Sequence, residues 1–313
     1  MGSFLSRGVV TLPDVIIDFE VEPNPDSPFI DSVTEFNTTI LGPSKVIIEH
    51  FKQYQDAQDF ISRAYREPSE ESKDSAWSRV LPLIAFQSQI FNLANKLTDH
   101  FIGFLSFIVD LMGNGYSSVD ALVSEPIITK QFAQCFNIML EIDEIKMNRP
   151  KMLNDLAFFH RVATRRLDFD QYEDLYTKSF DMVLFFGNPN PCICKLISAI
   201  KNRFQYDFQK LLRSIEVIGK ISDICTSMLI NHPSENEETN LLYLRASVGS
   251  ILLYDHLNPK GAFVNDSSLA IMQTVTVLAN YQPKQMNLIN SVKYLSKHYD
   301  DSSSRIEIKN ILQ

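Results

Sequence analysis

The chain has 313 residues, 45% of them apolar, with only 10 glycines and a formal net charge of −9. A chain of this length bounds the answer to one or two domains of about 150 residues, with a core large enough to hold without disulfide staples. The acidic balance excludes a nucleic-acid binder working by a general basic surplus, and the scarcity of glycine disfavours glycine-rich phosphate loops and sheet meanders.

Met1-Gly2-Ser3-Phe4-Leu5-Ser6 fits the pattern for N-myristoylation, with Gly2 as acceptor. A single acyl chain holds a protein on a bilayer only marginally and reversibly, and Arg7 is a lone basic residue rather than a polybasic second signal. The expectation is a cytoplasmic protein in weak peripheral association with the plasma membrane. Pro13, Pro23, Pro25 and Pro28 mark residues 1–28 as an extended arm.

Apolar spacing predicts a helix over 31–41, which Gly42-Pro43 is expected to break or kink. A second helix to about Arg66 turns Ile47, Phe51, Tyr54, Phe60 and Ile61 inward. From Glu70 to Gly113 the pattern stays helical, with Pro82 expected to kink it. The longest apolar stretch, Phe101 to Met112, falls short of the roughly 20 residues that span a bilayer and reads as core. Gly113-Asn114-Gly115 stops that helix, Ser117 or Ser118 starts a short one, and Glu125-Pro126 opens the next. Over 126–147, Ile128, Phe132, Phe136, Met139 and Leu140 share one face. Further helices are predicted at 151–166, 172–186, 192–208, 210–230, 235–257, 266–279, 285–298 and 303–311, with prolines in or beside the breaks. Strand signals are sparse. The predicted fold is all-α, a multi-helix bundle, divided into the arm 1–28, an N-terminal helical subdomain 29–113 and a C-terminal helical bundle 114–313.

The chemistry-bearing patterns are poor. No two of the six histidines stand three or four apart, and none has a carboxylate three residues before it, so a helical metal site is not expected. Cys135, Cys192, Cys194 and Cys225 sit among apolar neighbours and read as buried free thiols. Cys192-Ile193-Cys194 has no second pair at finger-like spacing. Asp143-Glu144 reads as solvated helix-face charge pairing with Lys146, and Asp255-His256 as a helix end where the imidazole meets free carbonyls. No catalytic residue, metal or cofactor is expected; the reading is a binding protein and not an enzyme.

The most informative segment runs from Asn154 to Arg166. On a helix, Asn154, Phe158, Arg161 and Arg165 fall on one side at steps of three and four, with His160 beside them. Arginine beside an aromatic is favoured interface chemistry, and a guanidinium fork clasps a carboxylate in bidentate fashion. The plain alternative is a solvated face with Phe158 or Phe159 turned into the core.

Asn154-Asp155, Phe158-Phe159 and Arg161 resemble the signature helix of the CYFIP-related Rac interactor (CYRI) family. So do Ala76-Trp77, Pro82-Leu83, Lys130-Gln131-Phe132-Ala133, Asp143-Glu144-Ile145-Lys146-Met147, Lys297-His298 and Leu312-Gln313. Leu253-Tyr254-Asp255-His256, leading through Pro259 to Gly261-Ala262-Phe263, is the most specific stretch. The resemblance implies a CYFIP-like Rac-binding fold that recognises the GTP-loaded form of a Rac-type GTPase. It further implies competition with the Scar/WAVE complex, which restrains branched actin assembly at the lamellipodium and bears on cell migration, macropinocytosis and integrin uptake. Carried over, the key Rac contacts fall on His160 and Arg161, with Gly2 as the acylated residue; the full candidate Rac-binding set is Arg161, His160, Arg165, Asn154, Phe158 and Lys146. His160 departs from the family, which has arginine there; a histidine is mostly uncharged at neutral pH, and Arg165 and Arg166 lie one turn on. The expected state is a monomer or weak self-association. The rival readings are a structural subunit of an actin-regulatory complex and a peripheral lipid-binding helical protein.

Overall fold

The computed structural model describes residues 24–50, 70–115, 118–144 and, apart from 183, 187 and 189, 181–257, with backbone alone over 70–86 and at 144, 230, 237 and 255. Every regular element among them is helical. They are α1 (Ile30–Phe36), α2 (Glu70–Gly113), α3 (Val119–Val123), α4 (Pro126–Glu144), α5 (Pro191–Arg203), α6 (Phe208–Asn231) and α7 (Glu237–Leu257). The all-α expectation is met. None of these helices is long and apolar enough to cross a membrane.

The chain divides into two compact units. One comprises Met1–Phe29, Leu105–Asn137 and Ile200–Gln313; the other comprises Ile30–Phe104 and Ile138–Ala199. α2, α4 and α5 each supply residues to both.

In the second unit, α1 passes through a π-helical turn, Asn37–Leu41, and residues 42–50 continue as helix. The expected break at Gly42-Pro43 is therefore absent. A proline ring collides with the carbonyl four residues back and lacks an N–H of its own. The wider turn absorbs both defects: the Gly42 N–H reaches back five residues to the Asn37 carbonyl, and Ser44 Oγ donates to the Leu41 carbonyl at 2.8 Å. Phe36, Ile40 and Ile48 are buried. The Phe36 ring lies 5.0 Å from His100, which stacks at 6.2 Å on Phe104. Burial lowers the His100 pKa, with the Glu35 carboxylate pulling it back up. α2 runs through Pro82 as one helix over Glu70–Gly113, the span read from the sequence.

The first unit is built on a hairpin of α6 and α7. Asn236 Oδ1 accepts the Glu238 N–H at 2.9 Å and so starts α7. Thr226 and Ser247 share a buried 2.5 Å hydroxyl bond, and Gly219 faces the Tyr254 ring in the same antiparallel register. Phe132 and Phe136 of α4 are buried within this unit, as are Ile215, Ile218, Leu244 and Leu252. A Cβ at Gly249 would stand 2.8 Å from Phe136 Cδ1, so the α7 backbone approaches the ring closely. Arg245 donates from a guanidinium nitrogen to Asn137 Oδ1 at 3.1 Å.

Starts and stops follow local chemistry. Ser118 Oγ accepts the Ala121 N–H at 3.2 Å and begins α3, as predicted. Gly115 takes a positive φ of 73° after α2. The helix predicted over 192–208 stops at Arg203. Asp207 takes a non-helical conformation (φ −132°, ψ 85°) and its carboxylate accepts the Lys210 N–H at 3.0 Å, so it starts α6 and cannot also extend α5.

Candidate functional site

Lys146, Asn154, Phe158, His160, Arg161 and Arg165 lie outside the described residues, as does Gly2. The structure defines the two helix ends that bracket the segment in the chain, α4 ending at Glu144 and α5 opening at Pro191. Both belong to the second unit. Asp143 Oδ1 accepts the Cys192 N–H at 2.9 Å, across 49 positions of sequence.

The electrostatics of that bond are specific. A carboxylate in the last turn of its own helix sits at the negative end of the macrodipole, where it is disfavoured. Turned onto the first turn of another helix, the same carboxylate meets the positive end and an N–H with no intrahelical partner. Asp143 is thus not the solvated helix-face charge expected from the sequence; it is half-buried and caps α5. The sequence carried no signal for this, because the acceptor and its donor are far apart in the chain.

Beyond the clasp, Phe185 meets Phe91 edge-on at 5.4 Å and Phe186 at 4.9 Å, while Lys195 Nζ stands 5.4 Å over the Phe91 ring. These contacts fix the chain where it re-enters α5. Asp143→Ala is expected to cost about 1–2 kcal/mol of stability by leaving the Cys192 N–H without its cap, and Asp143→Asn should recover most of it. Urea denaturation of the full-length variants measures both, and equal stability of all three proteins would dismiss the clasp.

Three of the four cysteines are held as buried thiols. Cys135, Cys192 and Cys225 are buried and Cys194 is half-buried, a partial correction to the expectation of four buried thiols. Burial raises the thiol of Cys135 and pushes Cys225 up to about 12. Burial and the Asp143 carboxylate raise Cys192. Such groups stay protonated and are poor nucleophiles. Among the described residues, no cluster of three or more His, Cys, Asp or Glu could hold a metal ion. His256 Nδ1 lies 2.8 Å from the Leu252 carbonyl in the last turn of α7, the helix-end role read from the sequence.

Two of the stretches that carried the family resemblance contribute to the core. Gln131, Phe132, Ala133, Leu253 and Tyr254 are buried. Their place is in packing, which leaves recognition to residues outside the core.

A family model described as the CYRIA/CYRIB Rac1 binding domain matches residues 14–309 of this chain. A curated relative from Dictyostelium discoideum, named CYFIP-related Rac1 interactor homolog, is 28% identical over 324 aligned positions. That alignment spans 100% of this chain and 99% of the relative.

Proposed function

The chain belongs to the CYRIA/CYRIB Rac1-binding-domain family, and on that premise we propose that it binds a Rac-type small GTPase in its GTP-bound state. The observation that carries the reading is the reach of the family match, residues 14–309, which takes in the whole Asn154–Arg166 segment. The protein acts as a binder and not as a catalyst. GTP orders the switch loops of such a GTPase and hydrolysis releases them, so a binder of this kind distinguishes the two states by the contacts each offers. Arg161 and Arg165 meet acidic switch residues through their guanidinium forks, with Phe158 as the apolar anchor beside them. Asn154, His160 and Lys146 complete the contact.

Bound in this way, the protein withholds active Rac from the Scar/WAVE complex and so limits branched actin assembly. Acylation of Gly2 holds it weakly at the plasma membrane, where its partner resides. Capture of purified full-length protein by Rac locked with a GTP analogue, against Rac locked with GDP, tests the state selectivity. Strong capture by the GTP form alone is expected; equal capture by both rejects the reading.

A further inference from the structure

We propose that the corner between α5 and α6 is a membrane-docking element, in which Tyr206 and Phe208 enter the interface of an anionic bilayer and the flanking basic side chains meet lipid headgroups. The large apolar residues of the first unit are mostly hidden, yet Tyr206 is 93% and Phe208 60% exposed. They stand two positions apart on a corner that is held firmly. The Phe204 N–H donates to the Ile200 carbonyl and the Asp207 N–H to the Phe204 carbonyl, each at 3.0 Å, and Phe204 itself is buried. The exposed aromatics therefore project from a fixed turn.

The surrounding charge is basic although the chain as a whole is acidic. Lys201 and Arg203 end α5, and Lys210 and Arg213 lie in the first two turns of α6. Asp207 is engaged as the α6 cap and Asp110 is paired with Lys210 at 2.9 Å. The next carboxylate along α6 is Glu216. Aromatic rings with a polar edge or an amphipathic flank, set among lysine and arginine, suit the headgroup boundary of a bilayer.

A lipid surface fits better than another protein because of where the N-terminal arm joins. Phe29 packs edge-on against Phe107 at 5.6 Å, and Phe107 is itself 39% exposed. Phe107 lies on the two turns of α2 that the corner grips, since Arg203 Nε donates to Ser106 Oγ at 3.3 Å and Lys210 holds Asp110. Phe29 thus packs on the same two turns of α2 that the corner holds, within one unit. One acyl chain is marginal by itself and needs a second signal, which the Arg7 region does not provide. The corner supplies it. The inference leans on the acylation reading for its context, but the corner should act without it.

The test uses full-length protein, with and without enzymatic acylation, sedimented with phosphatidylcholine vesicles that contain or lack phosphatidylserine. The unacylated wild type is expected to bind the phosphatidylserine vesicles preferentially and to lose that preference at high salt. Tyr206→Ser with Phe208→Ser should lower partitioning about tenfold in both forms, and Lys201→Glu about fivefold on anionic vesicles. All three positions are exposed, so melting curves should stay unchanged. Partitioning that depends on Gly2 alone and ignores the corner variants overturns the proposal, whereas corner-dependent binding of the unacylated protein upholds it even if Gly2 is never acylated. Corner variants that bind vesicles normally but lose GTP-loaded Rac would overturn it in favour of a protein contact.

Discussion

Phe136→Ala is expected to lower the unfolding free energy of the full-length protein by about 3–5 kcal/mol, the usual cost of removing a fully buried phenyl ring. Phe136 is completely hidden, and its ring fills the space that Gly249 leaves by lacking a Cβ. The pair therefore makes a coupled prediction. Gly249→Val puts methyl groups into the ring and should itself cost about 1–3 kcal/mol, even after the gain in helix propensity. In the double variant the added methyls occupy part of the cavity. Its loss should fall short of the sum of the single losses by about 1 kcal/mol or more. Urea denaturation of the three variants measures this, and strict additivity would mean that the close approach of ring and backbone has no energetic content.

Arg161→Asp should abolish capture of GTP-loaded Rac. Reversing a charged contact held by hydrogen bonds costs roughly 2–5 kcal/mol, so the affinity falls by about thirtyfold at the least. Arg161→Lys separates charge from geometry: it keeps the charge but loses the planar fork, and an intermediate affinity is expected. His160→Arg tests the departure from the family pattern. A histidine carries little charge at neutral pH, so the arginine variant should bind more tightly at pH 7. Calorimetry with Rac held in the triphosphate state reads all three. If Arg161→Asp binds as well as the wild type, recognition does not run through this ridge, whatever the family.

These two predictions differ in how far the sequence prepared them. The Asn154–Arg166 ridge rests on residue spacing and on the family; it lies outside the described residues, so its contacts are inferred from chemistry. Phe136 was placed on the buried face of its helix by spacing alone, and the structure buries it together with Ile128, Phe132, Met139 and Leu140. Its partner Gly249 gave no such sign, because a glycine inside a helical pattern does not announce which ring it admits. Asp143 was misread for the same reason. Its charge is plain in the sequence, but the helix end that uses it begins at Pro191.

The sequence by itself determined the class of the fold, the inward face of α4, a serine start for α3 at 117 or 118 and the imidazole cap at His256. Each of these depends on groups within about one or two helical turns, and periodicity and capping chemistry report on that range. Only the tertiary structure decided that a π turn carries the chain past Pro43, that α5 stops at Arg203, that Asp143 serves another helix, and that Tyr206 and Phe208 face outward. Those outcomes balance local preference against packing partners distant in the chain, and a one-dimensional pattern carries no information about which partner arrives.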